Sequence, residues 1–165
     1  MAIVKLGDAE FHTTGDLPTV GSAVPDFTLT GVDLGDIKLA DYRGESIVLN
    51  IFPSIDTPTC QMSVREFNRR ANDLSATKVL CVAMDLPFAF SRFCGAEGLD
   101  NVVSASGFRS SFGDAFGVTM TDGPLRGLYA RAVVVVSAEG LVTHTELVES
   151  VGSEPNYDEA LSAIK

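Results

Sequence analysis

Residues Asn50–Ser63 read NIFPSIDTPTCQMS, and this stretch decides the fold. The apolar run Ile47-Val48-Leu49-Asn50-Ile51-Phe52 reads as a buried strand. Pro53 ends it, and Ser54-Ile55-Asp56 forms a short loop. Thr57 followed by Pro58 is a helix start, a hydroxyl N-cap with proline at the first helical position. Cys60 therefore falls in the first helical turn, where unpaired N–H groups and the positive end of the helix dipole favour a thiolate. Strand, loop and helix together place the sulfur at the carboxyl end of a strand, where open α/β sheets hold their sites. The competing reading is a buried core cysteine, because Cys60, Val64, Phe67, Ala71 and Leu74 share one helical stripe.

Composition narrows the classes around this stretch. The 165 residues, 45% hydrophobic and 21% charged, fit one domain (residues 1–165) of a soluble globular protein. A net charge of −10 argues against nucleic acid and anionic membrane surfaces as partners, since both require a basic patch. No apolar run approaches the ~20 residues of a membrane span. The opening MAIVKLGDAEFHTTGD has no signal-peptide core, so a cytoplasmic protein is expected. Three cysteines (Cys60, Cys81 and Cys94) do not make a secreted disulfide framework. In a reducing compartment, a disulfide between two of them would be transient and catalytic rather than structural.

Outward from the organising stretch, the pattern is a hairpin, then βαβ, then αβ, then ββα. Ile3–Leu6 and Glu10–Thr14 read as an N-terminal hairpin, and Asp26–Thr30 as a half-buried strand. The Cys60 helix runs to Asp73 or Leu74, with Arg65, Arg69 and Arg70 on a solvated face. Ser63-Val64-Arg65-Glu66 also matches a capping box, which would let the helix restart at Ser63 if its first turn unwound; a chance match is the alternative. Lys78–Met84 is a buried strand, with Cys81 as core. Pro87 opens a helix that carries Cys94 and stops at Gly98. Asn101–Ala105 is a short strand, and Arg109–Phe116 a short helix. Ala132–Val136 and Leu141–Val148 form a second hairpin, and Pro155–Ile164 a closing helix. The expected fold class is α/β and thioredoxin-like: a central mixed β-sheet flanked by helices, with an N-terminal β-hairpin.

The chemistry open to these residues is limited. Acyl transfer needs a base, and only His12 and His144 exist, neither near a motif. No C-x-x-C pair is present for thioredoxin-type exchange, and the scattered cysteines do not resemble a zinc site. Peroxide reduction asks for less: a stabilised thiolate, donors for the peroxide, and a means of resolving the sulfenic acid. Thr57, one turn before Cys60, can reach the sulfur or the peroxide. Pro53 can shield the sulfur. Arg131, at the mouth of an apolar strand, can hold thiolate and peroxide oxygen, or face solvent. Cys94, next to Gly95, is the candidate resolving cysteine. The rival readings are a redox-sensing module, a binding module with incidental cysteines, and a hydrolase that brings a histidine to Cys60.

Pro53-Ser54-Ile55-Asp56-Thr57-Pro58-Thr59-Cys60 fits the peroxiredoxin pattern P-x-x-x-T-x-x-C. With DLPFAFSRFCGAEGL, DGPLRGLYARAVVVV and EPNYDEAL, nearly the whole chain resembles the thiol peroxidase subfamily, the atypical two-cysteine peroxiredoxins. The resemblance implies a thioredoxin-like homodimer that reduces hydrogen peroxide and alkyl hydroperoxides without metal, haem or flavin. It implies that Cys60 is peroxidatic and Cys94 resolving, joined within one chain. Pro53, Thr57 and Arg131 match the other active-site positions, and thioredoxin is the implied reductant.

Overall fold

The computed structural model describes residues 1–164; Lys165 lies outside them. The chain runs β1 (Ile3–Leu6), β2 (Ala9–His12), β3 (Thr28–Thr30), β4 (Asp36–Lys38), β5 (Ser46–Ile51), α1 (Pro58–Ala71), β6 (Thr77–Ala83) and α2 (Pro87–Glu97). It continues through β7 (Val103–Ser106), α3 (Phe112–Phe116), β8 (Ala132–Val136), β9 (Val142–Leu147) and α4 (Tyr157–Ser162). Seven strands form one sheet in the order β4-β3-β7-β6-β5-β8-β9, and β1-β2 form a separate hairpin. β5, β6 and β7 are parallel, while β8 lies antiparallel to β5 and β9 antiparallel to β8. The βαβ spacing read around Cys60 is thus realised as the parallel centre of a mixed sheet.

Alternation along the central strands sorts two apolar layers. Leu49, Ile51, Leu80, Val82 and Val134 face one side, where α3 adds Phe112 and Phe116 with rings stacked at 4.2 Å. Val48, Cys81, Val133 and Val135 face the other, covered by Val64 and Phe67 of α1, Phe90 and Phe93 of α2, and Ala160 of α4. Successive right-handed crossovers from β5 to β6 to β7 place α1 and α2 on the same side, and the closing helix α4 packs beside them.

Several local expectations change. The helix expected from Arg109 begins only at Phe112, because a turn precedes it: the Ser110 N–H donates to the Gly107 carbonyl (3.1 Å) and the Ser110 hydroxyl accepts the Phe112 N–H (3.1 Å). Helix α1 is continuous through Ser63, so Ser63 is not a cap: its hydroxyl donates to the Cys60 carbonyl at 2.8 Å and accepts from Asn50 Nδ2 at 3.2 Å. The arginines of α1 do more than face solvent. Arg65 forms a two-pronged pair with Glu97 of α2 (2.6 and 2.7 Å), and Arg70 reaches Asp158 of α4 at 2.6 Å. Among the described residues, no helix is long and apolar enough to cross a membrane.

Candidate active site

Strand β5 delivers the chain to the carboxyl edge of the sheet, and Pro53, itself buried, turns it away. Thr57 has the extended backbone of an N-cap, and its carbonyl accepts the first helical bond from the Gln61 N–H at 3.0 Å. Its side chain does not cap. The hydroxyl donates instead to the Ser54 carbonyl at 2.9 Å, so its lone pairs are left to accept. Pro58 and Thr59 then set Cys60 as the third helical residue, fully buried.

Arg131 turns inward at the start of β8 and is only 2% exposed. Its Nη2 donates to Cys60 Sγ at 3.3 Å and its Nε to the Val151 carbonyl at 2.9 Å, while Nη1 is buried with no hydrogen-bond partner among the described residues. A buried guanidinium with one arm on sulfur and one unspent leaves a charged donor for a second acceptor beside Cys60.

Cys94 projects from α2 toward the outer part of the sheet. Its Sγ lies 3.3 Å from Ser104 Oγ on β7, and burial pushes its thiol pKa up. Cys60 sits beside the arginine at the start of β8, and β6 and β5 separate β7 from β8. Three strand spacings, about 14 Å, thus lie between the strand that Cys94 packs on and the strand whose arginine holds Cys60. Both cysteines are free, and a disulfide requires Cα atoms within ~7 Å, so pairing requires movement. Cys81 stands between them, pushed up to about 12 by burial, which makes it an inert core thiol.

This geometry joins a buried thiol to an arginine with an unspent donor at the edge of a thioredoxin-like sheet. A family model described as Redoxin matches residues 19–161. The thiol peroxidase of Mycobacterium tuberculosis is 57% identical over 164 residues, covering 99% of each chain. The chain belongs to the bacterial thiol peroxidase family. The thiol peroxidase of Corynebacterium glutamicum is 48% identical over the same coverage. A peroxiredoxin-like protein from Aquifex aeolicus superposes with a TM-score of 0.93 at 33% identity, over 98% of this chain and 95% of that one. The protein is accordingly a peroxidase enzyme with a peroxiredoxin fold.

Of the residues singled out in the sequence, the thiol peroxidase fold gathers Pro53, Thr57, Cys60 and Arg131 at one end of the sheet and leaves Cys94 apart. Neither histidine bonds the Cys60 sulfur: His12 Nδ1 pairs with Asp122 at 2.7 Å, and His144 lies on β9. The hydrolase reading loses its base. Sequence reasoning passed over three groups. The carbonyls of Val151 and Gly152 hold Arg131 and the Thr59 hydroxyl, respectively, and backbone acceptors leave no signature in side-chain identity. The third, Asp85, stands where β6 exits the sheet, and that position was its one signal.

Proposed function

We propose that the enzyme reduces hydrogen peroxide and alkyl hydroperoxides through Cys60, with Cys94 resolving and thioredoxin restoring the dithiol. The observation that carries this reading is Arg131, with Nη2 on the Cys60 sulfur and Nη1 buried and unpaired. In the first step the thiolate attacks the terminal peroxide oxygen in line with the O–O bond. An S–O bond forms, the O–O bond breaks, and the alkoxide or hydroxide leaves and takes a proton from water. Sulfur is oxidised to sulfenic acid, and the peroxide is reduced to alcohol or water. Arg131 Nη1 binds the oxygens as charge develops on them. Thr57 Oγ1, its own proton directed to Ser54, accepts the hydroperoxide O–H and fixes the line of attack. Pro53 keeps water off the sulfur.

In the second step Cys94 sulfur attacks the sulfenic sulfur, and water leaves as the intrachain disulfide forms. Its distance from Cys60 requires the first turn of α1, α2, or both to loosen. A dithiol then reduces the disulfide by exchange. Thioredoxin in that role, a homodimeric assembly and a cytoplasmic location rest on the resemblance and sequence reading given above.

The test is thiol counting with peptide mapping before and after one equivalent of hydrogen peroxide. Loss of two thiols, with Cys60 linked to Cys94 inside one chain and thioredoxin reversing it, is expected. Cys60→Ser should abolish turnover. A disulfide through Cys81, or one between chains, would overturn the assignment of Cys94, and a Cys60 inert to peroxide would overturn the mechanism.

A further inference from the structure

Asp85 lies half-buried where β6 ends, directly before the Leu86-Pro87 entry into α2. Its carboxylate faces the loop that precedes Cys60. Oδ1 accepts the Ser54 hydroxyl at 2.7 Å, and Oδ2 accepts the Ile55 N–H at 2.7 Å. Its own carbonyl accepts the Ser106 hydroxyl of β7, which anchors it to the sheet. Ser54, so held, accepts the Asp56 N–H on its Oγ at 3.1 Å and the Thr57 hydroxyl on its carbonyl at 2.9 Å. A short chain of bonds thus runs from a rigid strand end, through Asp85 and Ser54, to the proton of Thr57.

We propose that Asp85 is a positioning residue for the peroxide-reducing step, acting through Ser54 to keep the Thr57 hydroxyl pointed as an acceptor. The inference rests on the peroxidase reading of Cys60 and Thr57. Its physical basis is that a hydroxyl has one proton to give. With that proton bound to the Ser54 carbonyl, Thr57 offers only lone pairs toward the thiol side, and the hydroperoxide must present its O–H there. Were Ser54 free to turn, the Thr57 hydroxyl could swing to donate, and the peroxide would lose the orientation that in-line attack requires. Charge-assisted bonds to a carboxylate are the stronger kind, so they suit a loop lacking helix or strand bonds of its own.

Asp85→Asn keeps the shape and one acceptor oxygen but turns an amide toward Ser54. The rate of Cys60 oxidation by hydrogen peroxide should fall ~10-fold, the factor expected for one charge-assisted bond. Thr57→Val should lower it too, and the double variant should be no slower than Thr57→Val alone, because both act on one hydroxyl. The rate at which dithiothreitol reduces the preformed disulfide should stay unchanged. Rapid-quench alkylation with peptide mass analysis reads both rates. An unchanged oxidation rate in folded Asp85→Asn, strictly additive losses, or an equal fall in disulfide reduction would overturn the proposal. If Asp85→Asn does not fold, Ser54→Ala carries the same test and spares the Ile55 contact. A wild-type Cys60 that resists peroxide would instead sink the underlying peroxidase mechanism.

Discussion

Arg131 is held to Cys60 from two directions: Nη2 donates to the sulfur at 3.3 Å, while Nε is locked to the Val151 carbonyl at 2.9 Å. The arginine cannot follow the sulfur if the first turn of α1 loosens. Its geometry therefore belongs to the reduced, packed form, the one that the proposed mechanism presents to peroxide.

Arg131→Lys keeps the charge but cannot hold carbonyl, sulfur and peroxide together from one planar group. The peroxide rate should drop ~10- to 100-fold, the range of a lost hydrogen bond to a charged partner. Arg131→Met should drop it further. Quenched-flow thiol loss at several peroxide concentrations gives the second-order constant directly, and a lysine variant at wild-type rate would contradict the role.

Helix α2 is fastened beside the site by Arg65–Glu97 and by Arg92–Asp56. If α2 must shift for Cys94 to reach Cys60, those pairs oppose the shift. Arg65→Ala or Arg92→Ala should speed disulfide formation by up to ~5-fold each, the yield of a partly exposed ion pair. Faster resolution leaves less sulfenic acid for a second peroxide. The sulfinic fraction of Cys60, read by mass spectrometry at fixed peroxide dose, should fall in both variants.

In the proposed mechanism Cys94 must be ionised to attack, and burial, partly offset by the Ser104 bond, raises its pKa. Disulfide formation should therefore keep climbing through the ordinary thiol range near ~8.5 instead of levelling below it. Ser104→Ala removes the one contact that opposes the rise, so its profile should move to still higher pH. Single-turnover rates from pH 6 to 9 would follow both curves.

Glu66 accepts from Arg69 and from Arg70, and these bonds lower its carboxyl from 4.5 to about 2. A lowered folded pKa contributes stability above the unfolded value of 4.5, which is lost as pH falls through about 2. The group is partly exposed, so the worth is ~1 kcal/mol. The urea midpoint of Glu66→Gln should lie below wild type at pH 7, and the gap should close between pH 5 and 2.

Much of the fold was legible because the strands around Cys60 carry their pattern locally. Ile47–Phe52 is an almost unbroken apolar run, the mark of a strand buried on both faces, and Thr57-Pro58 is a helix start read from two letters. Pro53, Thr57, Cys60 and Arg131 come together because strand ends and helix starts meet at one edge of such a sheet. The Ser63-Val64-Arg65-Glu66 match caps nothing in this packed form, because a cap requires an extended backbone and Pro58 has already begun the helix. The inward turn of Arg131 was undecided because its anchor is a backbone carbonyl twenty residues away. Asp85 was passed over because its partners, Ser54 and Ile55, meet it only once β5 and β6 pair.

Under the proposed mechanism, the strap that seats Arg131 also bears on when activity can begin. The Val151 N–H donates to the Lys5 carbonyl at 2.8 Å, and the Val151 carbonyl receives Arg131. Lys5 leaves the ribosome early and Val151 late, so the arginine has no seat while the intervening chain is being made. The thiol of Cys60 is thus translated long before its partner is aimed. If Arg131 primes the thiol as proposed, Cys60 reaches its full reactivity only when these two distant segments clasp.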